Sequence, residues 1–328
     1  MSRSRGPVAP AIPPLVVIVG PTATGKSALA VALALRLGGE IIGADSMQVY
    51  RGLDAATAKP EARLRKAVPH HLIDVAEPGQ DFSMGDFVRL AEAAIAGIAA
   101  RAHLPIVVGG TGLYVRGLLK GPFEGPRRNE PLRERLRAVA GRRGGPFLHR
   151  MLLRVDAEAA RRIQPNDPQR IVRALEVWLL TRRTLSEWFR EEGFAADRYP
   201  SVKIGLDLPR EELYRRIDDR VGGFVAGGLF DEVDRLIRDG RPRTANAFKA
   251  LGYREALAVL DGRLERPEAV ELIRRNTRRY AKRQLTWFRK EPGVVWLDAL
   301  RGAEDLAEEA EALVRPALRL LGWDSPRG

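Results

Sequence analysis

The period of the apolar positions changes twice along the chain. Up to about residue 120, short β-branched runs alternate with helical stretches. Leu15-Val16-Val17-Ile18-Val19 is a continuous apolar run bounded by proline and glycine, which predicts a strand buried on both faces. Residues 27–37 are rich in alanine and leucine and predict a helix stopped by Gly38-Gly39. Glu40-Ile41-Ile42-Gly43-Ala44 predicts a second strand. Residues 51–86 are punctuated by Lys59-Pro60, Val68-Pro69 and Glu77-Pro78-Gly79 and predict loop. A helix over 85–103 and a third strand over 105–110 follow.

From residue 121 the β-branched runs stop, and helices are predicted over 130–141, 145–153, 156–163, 168–182 and 186–192. A strand returns over 201–208. Helices follow over 210–221, 228–239, 245–260 and 267–290, then an edge strand over 294–297 and a last helix to about 321. Strands alternating with helices predict an α/β fold with a parallel sheet. The return to strand marks 121–200 as a helical insertion within a core made of 15–120 and 201–328. Residues 1–14, small and proline-rich, predict a disordered tail.

Composition narrows the function. With 55 Lys and Arg against 42 Asp and Glu the net charge is +13, which points to a polyanionic partner, nucleic acid ahead of a membrane surface. The charge is clustered: 121–200 holds seventeen Arg, no Lys and eleven acids. Residues 274–290 carry Arg274, Arg275, Arg278, Arg279, Lys282, Arg283, Arg289 and Lys290 with no acid, and Tyr280, Trp287 and Phe288 lie between them. On a helix, Arg275, Arg278, Arg279, Lys282 and Arg283 share a broad face suited to a phosphate backbone. The chain has no cysteine, which excludes disulfides and thiolate chemistry. It has neither a signal-like N-terminal segment nor a run of about eighteen apolar residues, so a cytosolic protein with no membrane role is expected, and it reads as a monomer.

The sharpest chemical signal lies between the first strand and the first helix. Gly20-Pro21-Thr22-Ala23-Thr24-Gly25-Lys26-Ser27 is a P-loop pattern in its proper context. Glycines let backbone N–H groups turn inward, the helix N-terminus adds its positive end, Lys26 adds a charge and the Ser27 hydroxyl can hold Mg²⁺, alone or with Thr24. Such a loop implies a bound polyphosphate without saying which bond breaks. In a parallel sheet the loops after the first three predicted strands would meet in one pocket. These are Gly20 to Ser27, Asp45-Ser46-Met47-Gln48, and Gly109-Gly110-Thr111 running on to Tyr114. From position alone, Asp45 is equally a helix cap, a metal holder or a general base. His70-His71 reads as structural, because adjacent residues do not present two ligands on one face. No apolar strand is recognised as ending in a second acidic residue of the usual Walker-B kind.

Six motifs in order then carry a resemblance spanning 15 to about 297. They are the P-loop, Asp-Ser-Met-Gln-Val-Tyr-Arg-Gly at 45–52, Pro-His-His-Leu-Ile-Asp at 69–74 and Val-Gly-Gly-Thr-Gly-Leu-Tyr at 108–114. Asn-Asp-Pro-Gln-Arg-Ile-Val-Arg-Ala-Leu-Glu-Val at 166–177 and Thr-Arg-Arg-Tyr-Ala-Lys-Arg-Gln-Leu-Thr-Trp-Phe-Arg at 277–289 complete the set. Together they resemble the tRNA dimethylallyltransferase family. Leu53-Asp54-Ala55-Ala56-Thr57 departs from the family pattern. The resemblance implies a P-loop NTPase-like core and transfer of a dimethylallyl group from its diphosphate to the exocyclic amine of the adenosine next to the anticodon, with Mg²⁺ as cofactor. It implies that the P-loop holds the leaving diphosphate, that Asp45 is the base, that Arg220 binds diphosphate and that Thr111 contacts the target nucleotide. Asp45, Ser46, Met47 and Gln48, Gln169, Arg170, Ile171, Val172 and Arg173, together with Arg278 and Arg279, are expected to meet the tRNA anticodon stem-loop. Two alternatives stand beside this reading: a transferase acting on AMP, and an RNA-binding P-loop NTPase.

Overall fold

In the computed structural model, residues 12–121, 125, 126, 128–191 and 197–323 are described. Most of the predicted tail lies outside them.

The strands are β1 (Leu15–Val19), β2 (Gly39–Gly43), β3 (His70–His71), β4 (Leu104–Val108), β5 (Ser201–Asp207) and β6 (Val294–Asp298). They form one parallel sheet in the order β3-β2-β4-β1-β5-β6. The helices are α1 (Lys26–Leu37), α2 (Ala62–Ala67), α3 (Met84–Ala100), α4 (Gly112–Lys120), α5 (Glu130–Arg143), α6 (Gly145–Val155), α7 (Ala157–Arg162), α8 (Pro168–Thr181), α9 (Leu185–Glu191), α10 (Arg210–Ala226), α11 (Leu229–Arg238), α12 (Tyr253–Leu260), α13 (Arg266–Phe288) and α14 (Ala303–Leu320).

The sheet is covered on both faces, which is why its strands read as unbroken apolar runs. Val16 and Ile18 of β1 pack into one core cluster with α1 and α10 to α14, while Leu15, Val17 and Val19 pack into another with α3 and α4. Because every strand runs the same way, the ends of β1, β2 and β4 deliver their loops to one edge.

The chain divides into two compact units, residues 1–121 with 197–328, and residues 122–196. The second unit has its own core, built on Leu136, Leu148, Leu152, Ile171 and Leu175. Within the first unit the chain leaves and re-enters at adjacent points: Arg198 N donates to Leu119 O at 2.7 Å and Lys120 meets Asp197 at 2.6 Å. Among the described residues no helix is long and apolar enough to cross a membrane.

Three elements differ from the sequence reading. The stretch predicted as loop contains α2 and β3, six and two residues long, too short to show a period. The helix predicted over 245–260 is a 3₁₀ turn (Asn246–Lys249) and then α12. The break falls at Gly252, whose φ of +89° is left-handed and whose missing side chain admits Ala56, 2.9 Å from where a Cβ would sit. β5 closes with Asp207, which does not line the phosphate-loop cavity. Its carboxylate pairs with Arg289 at 2.9 Å and lines a separate groove at the ends of β5 and β6.

Candidate active site

The loop after β1 is wound tightly. Ala23 has φ +69° and Gly25 has φ +89°, left-handed conformations that aim successive amides to one side before α1 begins. Thr24 is buried and donates its hydroxyl to Pro21 O at 2.9 Å, so it faces into the loop. Lys26 Nζ donates to the same carbonyl at 2.6 Å. Thr22, Lys26 and Ser27 line a cavity, while Gly20, Pro21, Ala23, Thr24 and Gly25 build the turn behind them. Arg220 reaches the cavity from α10 and donates to Thr22 Oγ1 at 3.1 Å. Burial and the neighbouring Arg220 guanidinium push the Lys26 ammonium down to about 7, against some support from Asp45. Burial likewise lowers Arg220. Two cations held this close suit a multiply charged anion.

Asp45 lines the same cavity. Its Oδ1 accepts from Met47 N at 2.8 Å and Gln48 N at 3.3 Å, an Asx turn that fixes the carboxylate at the end of β2. Burial raises its pKa, and those two amides and Lys26 oppose the rise. Thr111, the residue before α4, supports this loop rather than lining the cavity: its Oγ1 accepts from Ser46 N at 3.1 Å and its N–H donates to Ala44 O at 3.2 Å. Gln48 lines the cavity, but its side-chain amide donates to Thr57 O at 3.1 Å and Ala58 O at 3.0 Å, which clamps the 53–60 loop. His70 and His71 are structural at their bonds. His71 Nε2 meets Glu40 at 2.7 Å, and His70 Nδ1 meets Val68 O at 2.8 Å, with the His70 ring on the cavity wall.

Two cavity residues, Tyr280 and Gln284, went unassigned to the site by sequence reasoning. Both lie on α13, one turn apart, Tyr280 half-buried and Gln284 buried. Burial, then the Asp45 charge, keeps the Tyr280 hydroxyl protonated. The signal was present as an i, i+4 pair inside a basic helix, masked by the charges around it.

The expected RNA-facing positions separate by burial. Gln169 and Arg170 are exposed at the start of α8. Ile171 and Val172 are core residues of the second unit, so their side chains face away from any ligand. Arg173 turns inward, to Glu176 at 2.7 Å and Pro126 O at 3.0 Å. The helical period explains this: positions 171, 172 and 175 form the apolar stripe. On α13, Arg275, Arg279, Lys282 and Arg283 are exposed. Arg278 instead makes a two-pronged ion pair with Asp218 of α10, Nε to Oδ1 at 3.0 Å, so it is a tie between helices.

The family model for IPP transferase matches residues 48–291, and that for isopentenyl transferase matches residues 13–73. The chain is 52% identical over 300 residues to the tRNA dimethylallyltransferase of Anaeromyxobacter dehalogenans, covering 90% of this chain and 99% of that protein. Among solved structures it is similar to the tRNA isopentenylpyrophosphate transferase of Bacillus halodurans, with a TM-score of 0.70, 42% identity, and coverage of 93% of this chain and 96% of that one. It is also similar to a eukaryotic dimethylallyltransferase acting on tRNA, with a TM-score of 0.78, 26% identity, and coverage of 96% and 81%.

Proposed function

Because the chain belongs to the IPP transferase family, we propose that it transfers a dimethylallyl group from dimethylallyl diphosphate to the exocyclic amine of an adenosine beside the anticodon of tRNA. The observation that carries this is that one carboxylate, Asp45, lines a single cavity with the Lys26 and Arg220 cations. That pairs a proton acceptor with a cradle for a leaving anion.

The roles follow from the chemistry. The adenine amine is a weak nucleophile because its lone pair is delocalised into the ring. As nitrogen bonds to the allylic carbon, the C–O bond to diphosphate breaks and the electron pair leaves with oxygen. Lys26, Arg220 and the α1 amides stabilise that developing charge. Asp45 takes the amine proton, and its raised pKa makes it a stronger base than an exposed carboxylate. The Ser27 hydroxyl, a hard oxygen donor at the cavity edge, fits a magnesium ion shared with the diphosphate, whereas the Thr24 hydroxyl is turned into the loop. When bound, such an ion would neutralise part of the diphosphate charge. The acceptor base must leave its stack to reach the cavity. Exposed Gln169, Arg170, Arg275, Arg279, Lys282 and Arg283 are the positions best placed to meet tRNA. The relatives are named for tRNA, which favours it over AMP as acceptor.

The test is incubation with labelled dimethylallyl diphosphate and unmodified tRNA. Label in the tRNA is expected. Label in AMP alone, or nucleotide hydrolysis without transfer, rejects the reading.

A further inference from the structure

Gln284 is a buried side chain whose two amide atoms are both spent on the active-site loops. Its Oε1 accepts from Thr22 N at 2.9 Å and its Nε2 donates to Gly110 O at 2.9 Å. The partners fix the orientation of the amide: a peptide N–H only donates and a carbonyl only accepts. The first partner is in the phosphate loop and the second is in the turn that delivers Thr111. Thr111 in turn accepts from Ser46, the neighbour of Asp45. Thr22 is held from its other side by Arg220. At Gly110 a Cβ would lie 2.0 Å from Gln284 Nε2, so only glycine lets the amide reach the carbonyl.

We propose that Gln284 is a positioning residue that couples occupancy of the diphosphate cradle to RNA binding. The inference rests on the function proposed above for the identity of the two ligands. A diphosphate that orders the phosphate loop fixes the Thr22 peptide. Through Gln284 that order passes to Gly110, Thr111 and the Asp45 loop, where the acceptor nucleotide docks. The same helix carries Arg279, Lys282 and Arg283 as exposed cations, so RNA held there is joined to Gln284 through α13. Whichever ligand binds first pre-orders the link for the second.

The test uses the full chain, inorganic diphosphate and unmodified tRNA, and measures binding and amide exchange, with prenyl transfer assayed separately. In the wild type, saturating diphosphate is expected to tighten tRNA binding about tenfold, and tRNA to tighten diphosphate binding equally, as reciprocity requires. Diphosphate should also slow hydrogen exchange at the Thr111 amide. In Gln284→Leu the coupling factor is expected to fall to about one, whatever the tRNA affinity without diphosphate, and the exchange effect to disappear. Gly110→Ala, which displaces the amide without altering Gln284, should do the same. A coupling factor preserved in both variants, even with a lower Tm, would make Gln284 merely structural and overturn the proposal, as would a wild type without coupling. Coupled binding without prenyl transfer would overturn the proposed function and leave this inference standing. A wild type that fails to bind either ligand overturns both.

Discussion

Asp45 and Lys26 occupy one cavity, and each makes a separate prediction. Asp45→Asn keeps an oxygen to accept from Met47 and Gln48 while removing the base. Turnover is expected to fall by about 10²–10⁴-fold, with tRNA affinity nearly unchanged. A matching loss of affinity in a filter-binding titration would make Asp45 a binding residue instead. Lys26, lowered to about 7 by burial and Arg220, loses its charge as pH rises through that value. A bound diphosphate favours the charged form, so binding at pH 8 should take up about one proton and binding at pH 6 almost none. Affinity should therefore weaken above pH 7. Calorimetry in buffers of different ionisation enthalpy checks this, with Lys26→Met showing no such uptake. Lys26 and Asp45 were legible because each sits at a fixed offset from a strand end. Gln284 was not: its partners lie 262 and 174 residues away, and no local pattern encodes such a contact.

At the scale of the element, α13 shows what a charge pattern can and cannot say. Its run of Arg and Lys correctly marks an exposed cationic face, but a sequence cannot show which cation a neighbouring helix has claimed. Arg278 and Arg279 are adjacent and identical in type, yet Arg278 is bound to Asp218 and Arg279 is exposed. Arg279→Ala is expected to weaken tRNA binding and reduce the slope of log affinity against log salt by about 0.7–0.9, the share of one phosphate contact. Arg278→Ala should lower Tm and leave that slope nearly unchanged. Salt titrations of the two variants side by side decide it; equal slopes would mean that the ion pair opens when RNA binds. Most long elements with a clear period were legible, the helix predicted over 245–260 being broken at Gly252. The six-residue α2 and two-residue β3 were not, because neither completes enough repeats for a period to exist.

For the whole molecule, the division at residues 121 and 197 separates chemistry from a second cationic body. Every residue lining the cavity lies in the first unit. That unit closes on itself where the second begins, through the Arg198–Leu119 backbone bond and the Lys120–Asp197 pair. The helical unit buries its own core and holds Glu176 between Arg133, at 2.8 and 2.9 Å, and Arg173. Neither unit borrows its core from the other, so replacing residues 122–196 with a short Gly-Ser linker should leave a folded protein that binds diphosphate about as the full chain does. Its tRNA affinity should fall at least about tenfold if, as its Arg-rich composition leads us to expect, the unit supplies phosphate contacts. Thermal unfolding and diphosphate titration of the deleted chain test the first claim, and tRNA binding tests the second. If diphosphate binding vanished while the fold survived, the cradle would depend on the insertion, and the assignment of all the chemistry to the first unit would be wrong. If tRNA affinity held, the RNA would be gripped by the first unit alone, with the exposed face of α13 carrying most of the contact.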